Sequence, residues 1–167
     1  MDAILVKGVV AGLLAMPDQL GVHLEALHMI RFADPRIAAL VGRLVELALG
    51  PEMAVQETLD PERLATILAG SEFDALVREM LRADSLPFSF TRKDADPGRA
   101  RAALAEAIHV MVAGPEIAAA LAATTAQLTR SFDEATYKEQ QRLLEMRVEI
   151  DRRLANLLQD DEGEGLT

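Results

Sequence analysis

Asp-Pro occurs three times in this chain, at Asp34-Pro35, Asp60-Pro61 and Asp96-Pro97. Each time the residues that follow space their apolar side chains for a helix. An aspartate before the first turn accepts from backbone N–H groups that have no partner inside the helix. A proline just after it loses nothing, because its missing N–H would be unpaired there anyway and its φ is preset. Three such starts, with Gly50-Pro51 and Gly70 as stops, predict an all-α chain. Its outline is a multi-helix bundle followed by a C-terminal two-helix hairpin.

The composition agrees. Half of the 167 residues are hydrophobic, only 4% are aromatic, Trp is absent, and Ala and Leu dominate. Helical cores tolerate small and unbranched side chains, whereas strands usually draw on β-branched and aromatic ones. The length suits one ordinary domain, with room for an appendage. There is no cysteine, which excludes a disulfide framework, a thiolate metal site and a catalytic thiol, and fits a reducing cytoplasm. A net charge of −10 repels phosphate and argues against direct nucleic-acid binding. The longest apolar run, 3–16, contains Lys7 and is too short to span a bilayer. It also has neither the basic flank nor the small-residue cleavage site of a signal peptide. The helix begins almost at once, as in a domain cut from a longer protein.

In chain order, Asp2 is placed to cap a first helix to about Met16, apolar around most of its circumference and therefore central. Gly8 and Gly12, four apart, give a neighbouring helix close access. Pro17 opens a second helix to about Ile30, and Arg36 to Leu49 form a third. Residues 52–59 are ambiguous. Short helices follow from Asp60 to Ala69 and from Ser71, the latter burying Phe73, Leu76, Val77, Met80 and Leu81. Residues 86–96 are irregular, pinned by Pro87, Phe88 and Phe90. The alanine-rich helix after Asp96-Pro97 is expected to kink or break at Gly114-Pro115. The predicted division is a bundle at 1–113, a hairpin at 114–160 and a flexible acidic tail at 161–167.

The hairpin is the most informative stretch. In 116–130, Ile117, Leu121 and Leu128 form a stripe with Thr125 in register. At the turn either Ser131 caps the last helix in a box with Glu134, or Asp133 caps it with Phe132 stapled onto Tyr137. The last helix has two apolar seams. Leu143, Met146, Ile150, Leu154 and Leu157 make one; Tyr137, Leu144, Val148, Ala155 and Leu158 lie roughly 130° away at 100° per residue. One seam serves the preceding helix. The second is covered either by the bundle or by another protein.

Two Glu-x-x-His pairs, Glu25/His28 and Glu106/His109, have the spacing used in di-iron bundles. Such a site also needs a glutamate from each of two further helices. Glu72 or Glu79 serves one half but not both, so solvated or capping pairs are the better account. His23 stands alone on a polar face and is expected to titrate in water. No phosphate loop, nucleophile signature or stacking platform occurs, so no catalytic residue, metal site or cofactor is expected.

Four stretches together resemble the C-terminal, helicase-binding domain of bacterial DNA primase. They are Ala3-Ile4-Leu5 with Gly8, Leu13 and Pro17; Ile30-Arg31-Phe32-Ala33-Asp34-Pro35; the Pro87-Phe88 loop and its alanine-rich helix; and Gln140-Gln141-Arg142-Leu143-Leu144 through Arg153-Leu154. The likeness spans nearly the whole chain, and the Gly114-Pro115 break departs from it. It implies about six bundle helices and a hairpin that docks on the N-terminal domains of a hexameric replicative helicase. Primase's zinc-binding and polymerase domains would lie upstream. The chain would then be a non-catalytic module coupling priming to unwinding in DNA replication. The interface is expected at Leu128, Phe132, Tyr137, Gln141, Leu144, Arg147, Val148 and Asp151. The alternatives are the helicase's own N-terminal domain, a self-associating helical scaffold, and a carboxylate-bridged metal enzyme.

Overall fold

The computed structural model of this chain describes residues 3–50, 60–81, 88, 90 and 96–164, with side chains as far as Leu158. Among the described residues there are eight α-helices and no strand. They are α1 (Ala3–Ala15), α2 (Gln19–Val22), α3 (Leu24–Met29), α4 (Pro35–Leu49), α5 (Pro61–Ala69), α6 (Asp74–Leu81), α7 (Pro97–Arg130) and α8 (Glu134–Glu164). The fold is all-α. The Asp2 cap and the ambiguous 52–59 stretch fall outside the described residues.

All three Asp-Pro starts form as the chemistry dictates. The N–H of Arg36 donates to Asp34 at 2.9 Å, that of Arg63 to Asp60 at 2.6 Å, and that of Arg99 to Asp96 at 3.0 Å. Each cap stabilises its helix by about 1 kcal/mol. Ser71 likewise accepts from the Phe73 N–H, at 3.2 Å, ahead of α6.

α1 is the central helix, with Val9, Val10 and Leu13 fully buried. Around it pack Leu40 and Leu44 of α4, Leu64 and Leu68 of α5, Met80 of α6, and Leu104, Ile108 and Met111 of α7. The two glycines of α1 admit aromatic rings as well as a helix. A Cβ on Gly8 would lie 2.5 Å from the Phe88 ring, and one on Gly12 would lie 2.8 Å from Phe90 and 3.0 Å from Leu104 of α7. Phe88 and Phe90 stack on each other with centroids 5.2 Å apart, and both are buried. Phe88 and Phe90 are thus seated on a glycine face, as the sequence suggests, while Pro87 and most of 86–96 lie outside the described residues.

Several boundaries differ from the sequence reading. The second helix divides at His23, whose backbone (φ −110°, ψ 20°) leaves the helical region, giving α2 and α3. Leu81 is exposed rather than buried. α8 continues through Glu164, so the first four residues of the expected flexible tail are helical.

Of the kink or break expected at Gly114-Pro115, the break does not occur: α7 runs 34 residues with Pro115 inside it. Proline there removes only the bond to the Met111 carbonyl. Its neighbours Met111, Ile117 and Leu121 are held by packing, and that packing outweighs a local cost of about 3 kcal/mol. Pro115 itself is exposed. Pro115→Ala is therefore expected to raise the unfolding free energy by about 1 kcal/mol or more, seen as a higher urea midpoint. A lower midpoint would mean that the bundle requires the proline's backbone shape.

Running unbroken, α7 is the one helix among the described residues long and apolar enough to cross a membrane, by length and composition. Its bulky side chains Leu104, Ile108, Met111, Ile117 and Leu121 are buried, and most of its remaining apolar character is alanine. Core helices of soluble proteins pass the same test.

Candidate docking face on the C-terminal hairpin

α7 and α8 are joined at Ser131-Phe132-Asp133. Of the two capping schemes, the second is the one formed. The Thr136 N–H donates to Asp133 at 3.1 Å, and the Phe132 and Tyr137 rings lie 6.0 Å apart. This is a hydrophobic staple, which sets the angle at which the chain enters the helix.

The inner seam of α8 covers two surfaces in turn. Near the tip, Leu143 is buried against Ile117 and Leu121 of α7. Nearer the bundle, Leu157 joins the main core, with Ile150 and Leu154 partly buried beside it. Met146, expected in this seam, is exposed. Arg153 reaches across to Glu106 of α7 at 3.6 Å.

The outer seam has no cover. Val148 is 68% exposed, Tyr137 45% and Leu144 41%, and Phe132 at the tip is 72% exposed. Of the other expected interface residues, Gln141, Arg147 and Asp151 are exposed, while Leu128 is half-buried. The tertiary structure therefore brings seven of the eight to the surface of one hairpin.

Between the two helices lies a groove of about 640 Å³. Its floor is Ala118, Ala122, Thr125, Ala126 and Thr129 of α7. Its wall on α8 is Gln140, Leu144, Arg147 and Asp151. Ile117 and Leu121 also line the groove, packed with Leu143 at the base; the other α7 side chains there do not exceed threonine in size. Gln140 donates to Thr125 across the groove at 3.0 Å and ties wall to floor. From Gly114 to Thr129 the floor is roughly 22 Å long, about four helical turns. The floor was missed in the sequence reading. Its only signal there is the four-residue spacing of Ala118, Ala122 and Ala126, which becomes a groove once α8 lies alongside.

The electrostatics of α8 are lopsided. Away from the groove, Glu139 pairs with Arg142, and Glu149 with both Arg152 and Arg153. The hydrogen bond from Arg142 holds the Glu139 carboxyl below its ordinary range; those from Arg152 and then Arg153 do the same for Glu149. On the groove wall, Arg147 and Asp151 make no ion pair with any described residue. Residues 114–158 carry six basic and seven acidic side chains, and the end of α8 adds Asp160, Asp161, Glu162 and Glu164.

The groups considered for chemistry are occupied or dispersed. Glu106 pairs with Arg153, and Glu25, His28 and His109 are exposed. No group of three or more His, Asp or Glu among the described residues is arranged to hold a metal ion. His23 corrects the sequence reading: its Nε2 is enclosed without a hydrogen-bond partner, and burial lowers its pKa. The apolar pocket of about 430 Å³ in the bundle has Arg101 as its charged lining residue. That guanidinium already pairs with Asp18 at 3.2 Å.

Comparison with protein-family models, with curated proteins and with solved structures finds no match to this chain.

Proposed function

We propose that this chain is a non-catalytic docking module that binds a replicative DNA helicase through its C-terminal hairpin, as a helicase-binding domain of DNA primase does. The reading rests on the sequence resemblance. It is supported by one observation above the rest: Tyr137, Leu144 and Val148 form an uncovered apolar strip beside the groove between α7 and α8. Neighbouring apolar side chains left in water at the rim of a groove are the usual form of a surface that a second protein covers.

The test is capture of the cognate hexameric helicase, through its N-terminal domains, by the immobilised chain. Leu144→Asp and Val148→Asp are each expected to abolish capture. Both positions are exposed, so the unfolding free energy should stay within about 0.5 kcal/mol of the parent. Capture that survives both substitutions would remove the hairpin strip from the interface. Failure of the parent chain to capture helicase would remove the helicase as partner.

A further inference from the structure

We propose that Gly114-Pro115 is a hinge in α7 and that the base of α8, residues 150–164, is the catch that holds it straight, so that release of this base lets the outer hairpin swing against the bundle. The two halves of α7 belong to different cores. Before the hinge, Val110 and Met111 pack in the main core; beyond it, Ile117 and Leu121 pack in a separate cluster with Leu143. Ile150 of α8 is partly buried against both, and it lies 4.0 Å from the position a Cβ on Gly114 would take. Where the cores part, α7 is at its weakest. Pro115 leaves the Met111 carbonyl without its helical bond, and Gly114 adds backbone freedom. Cavities of about 640, 420 and 470 Å³ border these two residues, so a bend there meets few packed atoms.

α8 passes this point as a stiff rod, with neither proline nor glycine before Gly163. α7 can therefore bend only if the base of α8 leaves the bundle, and that base is lightly held. Among its described side chains Leu157 is buried, while Ile150 and Leu154 are only partly so. The 470 Å³ cavity lies between it and Leu5, Val110 and Met111 of the bundle, a gap that forfeits packing contacts. Its ion pair to α7, Arg153 to Glu106 at 3.6 Å, is partly open to water on both sides, where such pairs are weak. The helix then ends in Asp160, Asp161, Glu162 and Glu164, with no basic residue in its last turn. Acids at the negative end of a helix dipole loosen that end.

The hinge does not depend on what the hairpin docks on. Because the chain has no cysteine, spin labels on Ala39→Cys in α4 and Ala135→Cys near the hairpin tip, both exposed positions, report the bundle-to-hairpin distance by pulsed electron spin resonance. The parent is expected to show two distances, with the docked one dominant. Glu106→Arg sets like charges against Arg153 and should raise the second population at least about threefold with helix content unchanged. Gly114→Ala with Pro115→Ala restores the missing bond and stiffens the helix, and should lower that population at least about threefold, in the Glu106→Arg background as well. A single distance in the parent and in Glu106→Arg alike overturns the proposal. So does a second distance that Glu106→Arg fails to raise, or one that the alanine pair leaves unchanged, since the motion would then lie elsewhere.

Discussion

Gly8→Ala is expected to lower the unfolding free energy by about 1–3 kcal/mol, although alanine is the better helix former. The added methyl would sit 2.5 Å from Cδ2 and 2.8 Å from Cε2 of Phe88. That ring has little room to retreat. It is buried, and it stacks on Phe90, which in turn faces Gly12. A contact that close costs more than the gain in helix propensity. Gly42→Ala is the control of opposite sign. Gly42 is an exposed position inside α4 with nothing within 4 Å of its would-be Cβ. It should stabilise by about 1 kcal/mol. Chemical denaturation of the two variants reads both signs. If Gly8→Ala were neutral, the rings would not be seated on α1. Phe88→Leu combined with Gly8→Ala should be less destabilising than the sum of the two, because the smaller side chain vacates the space the methyl needs.

Leu157→Ala is expected to cost about 2–5 kcal/mol, whereas Leu144→Ala, thirteen residues earlier on the same helix, should cost less than about 0.5. Leu157 lies in the main core and Leu144 is 41% exposed. Denaturation midpoints of the two variants make the comparison. Hydrogen exchange adds a second reading. With Leu157 removed, the amides of the second half of α8 should lose protection, while those around Leu143, held by Ile117 and Leu121, keep more of theirs. Equal costs at the two positions would mean that the outer seam is covered after all. The docking proposal would then lose its physical basis.

Most of the helix starts were legible because capping is local. An aspartate and a proline side by side determine where a helix begins whatever lies around it, and Asp34, Asp60 and Asp96 all cap as their neighbours dictate. The spacing of Tyr137, Leu144 and Val148 on α8 was equally readable, since helical periodicity alone puts them on one side. The cap at the hairpin turn was left open between Ser131 and Asp133. The choice depended on whether Phe132 could reach Tyr137, which is a question of three-dimensional fit.

What only the tertiary structure decided are the outcomes in which distant groups compete. Local chemistry favoured an interruption at Gly114-Pro115, and packing of Ile117 and Leu121 against Leu143 kept α7 whole. The alanines of α7 became a groove floor only when α8 lay beside them. His23 looked solvated in sequence, and its Nε2 is enclosed. Periodicity determines which residues share a face, because it follows from the geometry of one helix. Whether that face is covered depends on which other helix arrives there, and no single stretch of sequence contains that information.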